Sequence, residues 1–123
     1  MKNIKYDIEQ RLIQFSIDII KLCQKTNKNF ASEHLVKQII RSSTSSALNY
    51  GEAQSAESTR DFQHKMKICL KELRETLVNL KIQKGIQNIS DTLELERLIK
   101  EDNELIAIFV SSIRTSKSKN NKK

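Results

Sequence analysis

A chain of 123 residues with net charge +7 and a pI near 9.5 has room for one domain of ordinary size and not for two. Proline is absent and glycine occurs only as Gly51 and Gly85, which removes the turn chemistry that sandwiches and barrels need and leaves an all-α class. With aromatic residues at 5%, the core must be mostly Ile, Leu and Val, and so small an aliphatic core favours further burial between subunits.

The spacing of Ile8, Leu12, Phe15, Ile19 and Leu22 predicts a first helix from about Asp7 to Lys25, with Ile4, Ile13, Ile17, Ile20 and Cys23 widening its apolar stripe toward more than one neighbour. A polar connection, Thr26 to Asn29, follows. Phe30 is expected to fold back as an apolar plug and Ser32 to cap the second helix. That helix opens with Leu35, Val36, Ile39 and Ile40 and then passes into a run of small residues, Ser42 to Ala47. Ser and Thr compete for backbone groups and are mediocre helix formers, so their clustering points to a close contact seam. Gly51 is its weak point, where fraying or a bend is expected.

Ser58 with Asp61 three residues on approximates a capping box for a third helix, whose stripe runs through Phe62, Met66, Cys69, Leu73, Leu77 and Leu80 to a stop at Gly85. Asp91 and Glu94 open a fourth by a similar cap. Its stripe, Leu95, Leu98, Ile99, Leu105, Ile106, Phe109 and Ile113, is interrupted by Asp102 and Asn103. Nothing apolar follows Ile113. The expectation is an antiparallel up-down-up-down four-helix bundle over residues 1–113 and a basic, disordered tail over 114–123.

No catalytic motif is present among His34, His64, Cys23, Cys69, Asp61, Glu52, Glu72 and Glu75. Neither histidine has a Glu three residues before it, as a di-iron bundle would require. The two cysteines stand 46 positions apart with no paired spacing, which reads as buried free thiols in a reducing cytosol rather than a disulfide or zinc site. No enzyme activity, cofactor or metal is expected. The N-terminus has no apolar core of a signal peptide and no run approaches membrane-spanning length, so the expectation is a cytoplasmic protein with no membrane partner.

The positive balance invites an acidic partner, RNA or DNA. Arg114, Lys117, Lys119, Lys122 and Lys123 carry five of the charges and leave the remainder at +2. A second basic set, Arg60, Lys65, Lys67, Lys71, Arg74, Lys81 and Lys84, shares the third helix with Glu72 and Glu75 and does not form one clean stripe, as on a solvated helix face. Both sets are candidate phosphate contacts. Arg41, Ser45, Asn49, Glu52, Arg74 and Glu75 are candidates for a network fixing register or an interface, with Asn49 and Glu52 pairing with Arg41 or Arg74 or binding a ligand.

Arg41, Ser45, Asn49 and Glu52, then Ser58, Asp61 and Phe62, and the run Leu70-Lys71-Glu72-Leu73-Arg74-Glu75-Thr76-Leu77 resemble the four-helix-bundle family named after the intervening sequences of bacterial 23S ribosomal RNA genes. The resemblance covers about 110 residues. The chain departs from the family pattern at Ala47, at Tyr50 to Ala53 and at Lys71-Glu72. The resemblance implies a ring-forming homo-oligomer, often a pentamer. A related branch resembles the accessory variability determinant of diversity-generating retroelements, a basic bundle ring that binds a reverse transcriptase and RNA. Taken with the charge, it makes a non-catalytic nucleic-acid-binding accessory or ribonucleoprotein component the expected function, with a protein-binding scaffold or reverse-transcriptase accessory subunit as the alternative.

Overall fold

The computed structural model describes residues 4–121, with side chains over 7–119. It contains four helices: α1 (Ile4–Cys23), α2 (Phe30–Gln54), α3 (Thr59–Gly85) and α4 (Thr92–Asn121). Among the described residues the only extended pairing is a bridge between Thr26 and Ile89, which ties the α1–α2 connection to the α3–α4 connection at one end.

Hydrogen bonds and ion pairs between helices fix their directions. Between α2 and α3 they run from Leu35 with Asn79, through Ser42 with Thr76, to Glu52 with Lys65, descending on one helix as they climb on the other. Arg11 with Glu101, Asp18 with Arg97 and Lys25 with Asp91 do the same for α1 and α4. Gln63 with Ser116 and Lys84 with Glu96 do it for α3 and α4. The four helices therefore close an antiparallel up-down-up-down bundle, as short connections between amphipathic helices require.

Each helix begins and ends for local reasons. Ser58 accepts from the Asp61 amide at 3.0 Å and Asp91 from the Glu94 amide at 3.1 Å, so both expected caps form. The α2 cap differs: Asn29 takes the role by accepting from the Ser32 amide at 2.9 Å. Ser32 is buried instead, its Oγ accepting from Asn88 Nδ2 at 3.0 Å. Phe30 is 86% exposed and plugs nothing, because the cap at Asn29 turns the first residue of α2 outward. Helix α2 runs unbroken through Gly51 to Gln54; one unfavourable residue does not end a helix whose flanks, Tyr50 and Ala53, are packed. After Gly85 the left-handed backbone falls on Gln87, with φ of 56°.

The core is aliphatic as expected, with Leu12, Phe15, Ile19, Ile39, Leu73, Leu98, Leu105 and Phe109 almost wholly buried. Tyr50 meets Phe109 edge to face at 5.7 Å. Ser42, Ser43 and Ser46 are buried at the seam. Ser42 bonds Thr76 Oγ1 at 2.7 Å, and Ser16 Oγ donates to the Ser43 carbonyl at 3.1 Å, so small residues let α2 approach both α3 and α1. Cys23 of the widened α1 stripe joins the core, whereas Ile13, Ile17 and Ile20 stay more than a third exposed and are only partly covered within the chain.

The expected disordered tail is a correction. Residues 114–121 continue α4 as helix. Ser, Thr, Lys and Asn are only moderately poor helix formers, and with no Gly or Pro after Ile113 an established helix propagates at little cost per residue. Lys122 and Lys123 lie outside the described residues.

Candidate nucleic-acid interface

Helix α3 carries two kinds of charge, and its neighbours sort them. On the side facing α2, Arg41 spans two carboxylates, Nη1 to Glu72 Oε2 at 3.1 Å and Nη2 to Glu75 Oε2 at 2.7 Å. The Glu72 side chain is 9% exposed. Burial pushes its carboxyl above the usual range, Glu75 adds to the rise, and Arg41 offsets it only in part. The same two carboxylates hold the Arg41 guanidinium more firmly protonated. Lys65 reaches Glu52 at 3.0 Å.

The expected network therefore divides into separate pieces. Arg41 and Glu75 come together. Asn49 turns back on its own helix, donating to the Ser45 carbonyl at 2.9 Å and to Ser45 Oγ at 3.0 Å. Glu52 is spent on Lys65, and Arg74 joins none of them. Neither Arg41 nor Arg74 meets Asn49 or Glu52, because Arg41 lies about three turns before Glu52 on α2 and Arg74 points to the opposite side of α3.

On the side facing α4 the cations are left over. Lys84 pairs with Glu96 at 2.6 Å, as Lys65 does with Glu52, and both leave the basic set. Arg60, Lys67, Lys71, Arg74 and Lys81 are exposed and make no ion pair among the described residues. They recur after seven, four, three and seven residues, which puts them on one face of α3. The irregular set seen in the sequence becomes one stripe once the paired lysines are removed.

Arg74 shares a groove of about 320 Å³ with Arg114 and Lys117 of α4, over a floor of Leu70, Val110 and Ile113. Arg114 and Lys117 are also exposed and form no ion pair among the described residues. No Asp or Glu follows Glu104 in the chain, and none lies between Asp61 and Glu72. The two basic sets that looked separate in sequence thus meet, because the helical extension of α4 lies beside the first half of α3. Lys119 is turned elsewhere. It borders a wider depression with Ile8 and Phe62 on the α1 side.

The groove floor was not legible beforehand. Leu70 and Val110 fall outside the core stripes, and only the heptad spacing of Arg60, Lys67, Arg74 and Lys81 hinted at a special face. Asp102 was also missed: it appeared as a break in a stripe but is fully buried, and neither carboxylate oxygen has a hydrogen-bond partner. Burial, with the Glu101 charge adding, pushes its pKa to about 8. Cys23 and Cys69 are buried free thiols pushed up to about 11 and about 12, so both are protonated at neutral pH. No helix among the described residues is long and apolar enough to cross a membrane.

The sequence pattern of the 23S rRNA-intervening sequence protein family matches residues 5–111. The chain belongs to this family. A crystal structure of a protein of unknown function from the S23 ribosomal protein family of Bacteroides thetaiotaomicron VPI-5482 has the same fold. It is 29% identical, aligns over 86% of this chain and 97% of its own, and has a TM-score of 0.77. Curated proteins give no match. The family match includes the α3 stripe and Val110 but ends before Arg114 and Lys117, so the α4 cations of the groove lie beyond the matched region.

Proposed function

We propose that this member of the 23S rRNA-intervening sequence protein family is a non-catalytic nucleic-acid-binding protein that holds RNA or DNA by its phosphates on the α3–α4 face. The observation that carries the reading is the α3 stripe of Arg60, Lys67, Lys71, Arg74 and Lys81, exposed and without ion pairs among the described residues, which meets Arg114 and Lys117 of α4 at Arg74. Exposed cations without partners break no ion pair on binding phosphate, and each releases counterions from the nucleic acid. The role is that of an accessory or ribonucleoprotein component, acting in the cytoplasm.

The test is RNA binding across a salt series for the full chain and for Arg74→Glu with Arg114→Glu. The expected result is affinity that falls steeply with salt in the full chain and a flatter, weaker curve in the variant. Absence of binding by the full chain near physiological salt would remove this reading.

A second reading, a protein-binding scaffold or a reverse-transcriptase accessory subunit, is favoured by a different observation. Ile13, Ile17 and Ile20 expose 38–39% of their surface along one side of α1, and Val78 and Ile82 expose 58% and 46% on α3. Such faces suit contact with further copies of the chain, with a pentamer as the assembly the family resemblance implies. A ring would also set several basic faces side by side and multiply weak phosphate contacts. Sedimentation at several concentrations tests it: a monomer throughout would count against any scaffold built on self-assembly.

A further inference from the structure

The geometry points to a single-stranded segment of nucleic acid, with a base seated on the groove floor, as the occupant of the α3–α4 face. This inference rests on the phosphate-binding reading above and narrows it to one class of ligand.

The first argument is the shape of the charge. Arg60, Lys67, Arg74 and Lys81 are spaced by seven residues, so they form an almost straight row about 31 Å long with steps of about 10 Å. The phosphates of a duplex wind around its axis, so a straight row follows one strand over only a short stretch. A single strand is flexible and can be drawn along the whole row.

The second argument is the groove itself. Leu70, Val110 and Ile113 make an apolar floor, and Arg74, Arg114 and Lys117 stand around it. At about 320 Å³ it is at the small end of ligand sites, fit for one flat group and closed to a duplex. An unstacked base offers such a group: its faces are apolar, and guanidinium planes such as those of Arg74 and Arg114 stack on bases. A paired base keeps its faces inside the stack and cannot reach the floor. Among the described residues no aromatic side chain lines the groove, so seating depends on the aliphatic floor and the guanidinium groups.

The chemistry also separates this occupant from an acidic amphipathic helix of a partner protein. Helix docking uses apolar anchors repeated along a continuous trough. Here the apolar floor draws on one position of α3 and two of α4, about one turn of each, whereas the cations extend far beyond it along α3. The extended feature is charge, and the apolar feature is local.

The test uses the full chain and four fluorescent probes at physiological salt: a short oligouridylate, an RNA duplex of equal length, an abasic strand of equal charge, and polyglutamate. The expected result is about tenfold tighter binding of the oligouridylate than of either the duplex or the abasic strand. Leu70→Ser with Val110→Ser should reduce that preference while leaving abasic-strand binding and the helical circular dichroism unchanged. Equal affinity for all three nucleic-acid probes overturns the seated base and leaves phosphate binding standing. Binding of polyglutamate with none of the three nucleic-acid probes bound overturns both and assigns the face to an acidic protein.

Discussion

Two sides of α3 show what a basic helix becomes under different neighbours. Toward α2, charges are matched: Arg41 satisfies Glu72 and Glu75, Lys65 satisfies Glu52, and Ser42 bonds Thr76 in the buried seam. Toward α4, no Asp or Glu lies between Asp61 and Glu72 on α3 or after Glu104 on α4, and Lys67, Lys71, Arg74, Arg114 and Lys117 form no ion pair among the described residues. The first side uses its charge on pairing two helices with each other. The second contributes little to folding, and its charge is available.

The comparison breaks most visibly if the α4 side is reversed in charge. Arg74→Glu with Arg114→Glu should weaken RNA binding on the order of hundredfold while leaving the denaturation midpoint almost unchanged, since both side chains are exposed and unpaired. A large loss of stability in that variant would mean that the two sides do not divide their roles as described.

Asp102 sharpens the contrast from inside the bundle, as a charge-bearing group with neither partner nor solvent. Its pKa is near 8 in the fold against a usual 3.8, so the folded state keeps a proton that the unfolded chain releases between those values. Stability from this group is intact below about pH 4 and declines as pH rises toward 8. Asp102→Leu should flatten that part of the pH profile. Near neutral pH it should also stabilise the bundle by about 1–3 kcal/mol, read by urea titration, through removal of an unsatisfied buried group.

The α2 side should respond in the opposite sense to the groove. Arg41→Ala leaves Glu72 buried beside Glu75 with no cation. Because the guanidinium is 58% exposed, solvent screening reduces the cost to about 1–2 kcal/mol, with RNA affinity nearly unchanged. The smallest effect is expected at Gly51. It lies inside α2, an added Cβ meets nothing within 4 Å, and Gly51→Ala should raise stability by about 0.5–1 kcal/mol without touching either charged side.

How much of this was legible can be judged from single residues. Ser58 and Asp91 announced their helices because a cap is made within three residues of chain. The serine run announced a seam because such residues are tolerated in a helix where close approach requires them. Ser32 and Phe30 misled because Asn29, three residues before Ser32, caps α2 first. The last turns of α4 misled because composition shows the lack of apolar drive but not the momentum of a helix already formed.

The sequence by itself determined the class, the number of helices, the caps at Ser58 and Asp91 and the stripes that close the core, because these depend on periods and contacts reaching only a few residues. Only the tertiary structure decided which cations are neutralised and which remain free. Lys84 and Lys81 are three residues apart and chemically alike, yet Glu96 of α4 reaches one of them and no carboxylate among the described residues reaches the other. Arg74 and Arg114 are forty positions apart and stand around one groove. Pairing of charges is set by which helix faces come together across the bundle, and no local pattern carries that information.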